Sequence, residues 1–217
     1  MEPTRTRVPS QGRAVRTRAA LVEAAAGEFA ASGYAATTAR SIAERAQAAT
    51  GSFYQYFTCK DEVLRELAAA RQDDLIGRAL APVETVAPGP LAIHDMRAYL
   101  RAVIEIVVAY HADDARLHAV ITERRHADPA LDELITAGER RLLTRITAVL
   151  ARWGHAGDPT ATAFILLATL EGAVHAHVLG RPVIDDHRFI DALAEGLLRI
   201  ALPTALVSQE MTWPSSS

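Results

Sequence analysis

Apolar residues recur along this chain at steps of three and four, the spacing of helices rather than strands. In residues 15–32, Leu21, Ala25 and Phe29 fall at i, i+4 and i+8 on one face, and Gly33 supplies a left-handed stop. Thr37 or Thr38 then caps a short helix, about 38–45, that turns Ile42 and Ala43 inward. A turn at Ala46–Ala48 leads to a second short helix, about 50–57, with Phe53 and Phe57 one turn apart. A longer helix begins near Lys60 and runs to about Ala79.

The stretch LAPVETVAPGPL (80–91), with three prolines and a glycine, reads as the main loop. Beyond it, Asp95 precedes a strongly apolar helix, about 96–111, and Asp113 or Asp114 opens another to about Arg125. Asp128-Pro129 and Asp158-Pro159 each place an N-cap before a proline at the first helical position. These open helices to about Trp153 and Leu179, with Gly154 and Gly180 at the C′ positions. Asp185 or Asp186 starts a last helix that stops before Pro203. The fold class is therefore all-α, with about nine helices. The division expected is a flexible basic arm (1–14), a small N-terminal domain (15–64), a larger helical body (65–202) and a disordered tail (203–217).

Composition narrows the function classes. The single cysteine excludes an internal disulfide and fits a reducing cytoplasm. The first residues carry charge without an apolar core, so no secretory signal is read. No run reaches about 18 consecutive apolar residues, so no membrane partner is expected. Net charge is only −3, but residues 1–60 sum to +4 and residues 61–217 to −7. A basic front on an acidic body suits a chain whose front alone meets a polyanion.

Two short helices joined by a tight turn, after a longer helix, form a helix-turn-helix pattern. The second would lie in the major groove of double-stranded DNA. Phe53 and Phe57 would anchor its inner face, while Thr50, Ser52, Gln55 and Tyr56 present hydroxyls and an amide to phosphates or base edges. Tyr54 is open between anchor and contact. Gly51 permits close backbone approach, and Lys60, the only lysine, is a point charge for a phosphate.

Residues 27–64, GEFAASGYAATTARSIAERAQAATGSFYQYFTCKDEVL, resemble the DNA-binding domain of the TetR family of transcriptional regulators. Phe29, Gly33-Tyr34, Thr37-Thr38, Ile42-Ala43, Gly51-Ser52-Phe53-Tyr54, Phe57, Lys60 and Leu64 carry the likeness. The resemblance implies DNA contacts at Thr37, Thr38, Thr50, Gly51, Ser52, Tyr54, Gln55, Tyr56 and Lys60. Arg5, Arg7, Arg13, Arg16 and Arg18 add charge for further arm contacts. Two positions depart from the family pattern. Gln47 stands where glycine is usual, which costs on the order of 1 kcal/mol if the position is left-handed. Ala49 stands where a serine or threonine cap is usual, a loss of about 1 kcal/mol unless Thr50 caps instead.

In the body, the helix 159–179 is apolar on most sides and needs cover all round. Ala161, Ile165, Ala168, Gly172 and Ala176 form a small-residue strip, and Phe189, Leu193 and Leu197 lie on the last helix. Two such helices from each of two subunits would make a homodimer interface; burial within one subunit is the other possibility. Glu171 interrupts the apolar helix and needs an arginine across the interface or a place in a pocket. The resemblance implies an effector pocket, for which Met96, Tyr99, Val103, Val107, Tyr110, Phe164 and His175 are candidates. For His175 the default reading is a buried, hydrogen-bonded histidine, with a polar contact in the pocket as the alternative. His177 lies on a different face, so the two form no paired site.

The expected function is a ligand-responsive repressor that leaves a palindromic operator when a small hydrophobic or aromatic effector binds. Such a protein has no catalytic residues, metal or cofactor. The alternatives are a DNA-binding adaptor governed by a protein partner, or a helical-bundle metalloenzyme. For the last, Glu123-x-x-His126 has the right spacing but no second copy.

Overall fold

The computed structural model describes residues 11–84 and 93–201. Residues 1–10 of the expected arm (including Arg5 and Arg7), residues 85–92 of the loop and the tail 203–217 lie outside the described residues. The described residues form α1 (Gln11–Ala36), α2 (Ala39–Arg45), α3 (Thr50–Phe53), α4 (Lys60–Glu84), α5 (Ile93–Asp113), α6 (Ala115–Arg125), α7 (Pro129–Arg152), α8 (Pro159–Val174), a π-helical turn (His175–Leu179) and α9 (Asp186–Ala201). No strand occurs among them.

Three elements differ from the pattern-based expectation. α1 begins at Gln11, inside the expected arm, and continues to Ala36 across a break at Gly33 (φ 75°, ψ 171°). Gly33 therefore bends the chain where only glycine adopts the angle cheaply, but one more turn follows it. α3 is four residues long, with a bonded turn carrying the chain on to Phe57 (Phe57 N–H to Phe53 O, 3.0 Å). α4 continues five residues past Ala79 and includes Pro82. Burial of Ile76 and Leu80 against Val149 outweighs the local cost of a proline near the helix end.

The chain divides into two compact units. The first joins residues 1–70 with 116–134, and the second joins residues 71–115 with 135–217. The division falls inside α4 and again inside α7, and it places nearly all of α6 with the N-terminal helices. A linear boundary at 64/65 does not show this.

Within the first unit, Leu21, Ala25, Phe29, Ile42, Phe53, Phe57, Val63 and Leu64 are almost wholly buried, joined by Leu117 and Leu131. α2 begins with a reciprocal cap. Ser41 N–H donates to Thr38 Oγ1 and Thr38 N–H donates to Ser41 Oγ, each at 3.0 Å.

The second unit is built on α5, α8 and α9. Met96, Leu100, Ile104 and Val107 of α5 bury against Val174 and against Phe189, Leu193, Ala194, Leu197 and Leu198 of α9. Arg97 pairs with Glu195 at 3.1 Å and Arg101 with Asp191 along the rim. Asp158 caps α8, its carboxylate accepting from Thr160 and Ala161, with Pro159 at the first position.

Candidate nucleic-acid interface and apolar cavity

Phe53 and Phe57 are 0% and 1% exposed, and their rings meet at 5.7 Å. They hold down a helix too short to stand by itself. Around them Thr38, Thr50, Gly51, Tyr54 and Gln55 are exposed, and Ser52 and Tyr56 are half-buried. Tyr54 is 61% exposed and meets Phe53 edge-on at 5.4 Å, so its ring packs at one edge and faces outward. Arg16 is exposed and lines a shallow groove with Thr17, Gln47, Ala48, Ala49 and Ser52. Arg18 pairs with Glu66 and lies 5.0 Å over the Phe57 ring.

Two residues expected at phosphates are placed otherwise. Thr37 is fully buried, and its hydroxyl donates to the Gly33 carbonyl at 2.8 Å. The Gly33 carbonyl, at the break in α1, thus accepts from both the backbone N–H (3.3 Å) and the hydroxyl of Thr37, which keeps the hydroxyl from the surface. The Lys60 ammonium donates to the carbonyls of Tyr34 (2.7 Å) and Thr37 (2.8 Å) and sits 4.1 Å over the Tyr34 ring. It neutralises the negative end of α1. Burial lowers the Lys60 pKa, offset in part by Asp61.

A cluster that no motif announced surrounds Tyr34. Its hydroxyl donates to Asp61 at 2.5 Å, Arg124 of α6 reaches Asp61 at 3.1 Å, and the Arg124 guanidinium lies 4.0 Å from the ring centre. Burial, then the Asp61 hydrogen bond, push the Tyr34 phenol up to about 12. Burial opposes ionisation of Asp61, but the bonds from Tyr34 and Arg124 win and hold its carboxyl below the usual range. The partners are far apart in sequence, so only a family-position tyrosine hinted at them.

The two departures from the family pattern have direct structural expression. Gln47 has φ 53°, the sole positive-φ non-glycine residue described. Ala49 occupies the N-cap of α3 with no side-chain hydrogen bond, and Thr50 is the first helical residue, so it does not cap instead.

In the second unit a partly open space of about 100 Å³ is lined by side chains including Ile76, Met96, Tyr99, Val103, Val107, Ile146, Trp153, Leu166 and Glu171. Tyr99 donates its hydroxyl to the Ala79 carbonyl at 2.9 Å. The Trp153 indole N–H is buried without an acceptor among the described residues. Four of the seven expected lining residues, Met96, Tyr99, Val103 and Val107, line this space; Tyr110, Phe164 and His175 do not. Arg71 lies 4.7 Å over the Tyr110 ring, and Phe164 is 59% exposed. His175 lies beside the cavity wall, 3.5 Å from Glu171 and 2.9 Å from His111. Burial pushes the His111 imidazole below its ordinary value, against the opposing bond to the Val107 carbonyl.

The expected interface residues also divide. Ala161, Ile165, Ala168, Gly172 and Ala176 are exposed, beside Phe164 and Leu179. Phe189, Leu193 and Leu197 are instead buried in the unit's own core. Pro159–Leu179 is long and apolar enough, by length and composition, to cross a membrane, and only 22% of its most apolar window is buried. His177 bonds Asp186 at 2.8 Å and stacks on Phe189 at 4.0 Å, separate from His175. Glu123 and His126 are exposed at the end of α6.

Comparison with known proteins agrees with this geometry. The family of bacterial regulatory proteins, tetR family, matches residues 21–67, and the tetracyclin repressor-like C-terminal domain matches residues 95–199. The HTH-type transcriptional repressor KstR2 of Rhodococcus jostii (strain RHA1) is 38% identical over 103 residues, which are 48% of this chain and 46% of that protein. The match thus spans about half the length of this curated relative. A TetR-family regulator of Mesorhizobium loti MAFF303099 shares the fold with a TM-score of 0.71 at 20% identity, covering 87% of this chain and 98% of that one. FadR of Bacillus subtilis, solved in complex with stearoyl-CoA, has a TM-score of 0.63 at 21% identity, covering 85% and 97%.

Proposed function

Because the chain belongs to the TetR family of bacterial transcriptional regulators, we propose that it is a homodimeric repressor that leaves a palindromic DNA operator when a small apolar effector binds. The observation that carries the reading is the two-sided α3 segment, with Phe53 and Phe57 sunk in the core and Thr50, Gly51, Tyr54 and Gln55 outward. Such a face supplies hydroxyls and an amide for phosphates and base edges. Thr38, Ser52, Tyr56 and Arg16 extend it. Thr37 and Lys60 contribute by holding the end of α1 in place.

The exposed face of α8 supports dimerisation. A partner's α8 would cover Ile165 and Phe164, with Ala161, Ala168, Gly172 and Ala176 permitting close approach. Two-fold symmetry then sets two recognition segments about 34 Å apart, which is what a palindrome requires. A protein acting on chromosomal DNA works in the cytoplasm.

The cavity supports a ligand-responsive regulator over an adaptor without ligand. Its wall calls for an apolar effector with one hydrogen-bond acceptor for the Trp153 indole. At about 100 Å³ it is smaller than the roughly 150 Å³ that holds a benzene ring. An effector larger than this space would displace the side chains around it, and a difference between empty and filled states would couple binding to a shape change. The stearoyl-CoA complex of Bacillus subtilis FadR makes acyl chains a reasonable first class to screen.

The test is operator binding by the purified protein on DNA flanking its own gene, followed by apolar acyl or ring compounds. A protected palindrome released by one such compound supports the reading. Failure to protect any palindromic site overturns it.

A further inference from the structure

α5, α8 and the π-helical turn bring three ligand-type atoms to one point beside the cavity. His111 Nε2 and His175 Nε2 lie 2.9 Å apart. Glu171 Oε2 is 3.5 Å from His175 Nε2 and 3.9 Å from His111 Nε2. A four-coordinate zinc-like ion, with bonds of about 2.0–2.2 Å to nitrogen and oxygen, spans ligand pairs about 3.4 Å apart. The three edges straddle that value, so each atom needs to shift by only about half an ångström to share one ion.

The supporting framework also suits a metal. His111 Nδ1 lies 2.8 Å from the Val107 carbonyl. That carbonyl takes the Nδ1 hydrogen, fixes the ring and leaves the Nε2 lone pair pointing toward His175 and Glu171. Glu171 and His175 are four residues apart on one helix face. The chain widens into its π-helical turn at His175, a local distortion that recurs at functional sites. Both imidazoles approach the Glu171 carboxylate within ion-pair distance.

We propose that His111, His175 and Glu171 bind one divalent transition-metal cation of the zinc class, at the wall of the apolar cavity to which Glu171 also belongs. Without the ion, the His175 Nε2 hydrogen is donated to His111 Nε2. With it, both Nε2 lone pairs face the metal and the His175 proton sits on Nδ1, with no net proton gained or lost.

The experiment uses the full chain after chelator treatment. Cobalt(II) titration should give one equivalent per chain, with visible absorption of a low-symmetry four-coordinate site, displaced by zinc(II). His175→Ala and Glu171→Gln, both partly exposed in the fold, should each weaken binding at least tenfold while far-ultraviolet circular dichroism is unchanged. His111 is buried, so these two variants carry the test without it. No cobalt or zinc uptake by the wild type, or uptake unchanged in both variants, overturns the proposal. Operator binding measured on the same samples keeps this outcome separate from that of the repressor reading.

Discussion

At the scale of single residues, the turn before α3 is held at a local cost. Gln47 takes a left-handed conformation that glycine adopts without strain, and Ala49 leaves the first N–H groups of α3 without a side-chain cap. Gln47→Gly should stabilise the chain by about 1 kcal/mol, and Ala49→Ser by a similar ~1 kcal/mol. Both appear as higher melting temperatures, and an unchanged melt for the double variant would show that the turn carries no strain. Lys60 makes the opposite case. Its ammonium holds two carbonyls at the end of α1, so Lys60→Met should cost about 1–3 kcal/mol of stability. The salt slope of operator binding should stay within half a unit, because a phosphate contact would remove about one unit. Tyr34 makes a third. Its phenol titrates at about 12 in the folded chain against 10.0 ordinarily. The folded state keeps a proton that the unfolded state releases, so this stabilisation is whole below pH 10 and is lost as pH rises toward 12. Asp61→Asn should lower the midpoint seen by phenolate absorbance.

At the scale of elements, α8 keeps an exposed apolar face among the described residues. An added Cβ on Gly172 meets nothing within 4 Å. Gly172→Leu should therefore leave the single-chain fold intact and act only on whatever covers this face. The expected result is a shift from dimer to monomer in sedimentation, with helical content preserved. A dimer of unchanged affinity would place the interface elsewhere. α9 looked equally suited to an interface by its apolar pattern, since a buried face reads the same whichever neighbour buries it. Phe189, Leu193 and Leu197 meet α5 of their own unit. Pattern alone could not choose between those neighbours, because periodicity records that a face is covered and not by what.

At the scale of the whole molecule, α4 and α7 both run through the two compact units. On the proposed reading, an effector is held by the second unit and DNA by the first. Filling the cavity is the direct probe. Val103→Phe should occupy space that an effector would take, abolishing release by effector while the chain still folds. If the filled variant responds to the same compound as the wild type, the effector binds elsewhere.

What the sequence determined by itself is the set of local decisions. The three- and four-residue steps made the helices, Asp158-Pro159 started α8 where it starts, and Phe53 with Phe57 marked the inner face of α3. These follow from interactions within a few residues, so they are legible in order along the chain. Gln47 and Ala49 were legible too, because a backbone angle and a missing cap are local. The tertiary structure alone decided which polar groups meet. Lys60 on the carbonyls of Tyr34 and Thr37, Arg124 beside Asp61, and His111 against His175 all join positions more than twenty residues apart. No period links such positions. Their meeting depends on how helices pack, and packing is chosen by the fit of whole faces rather than by any one residue.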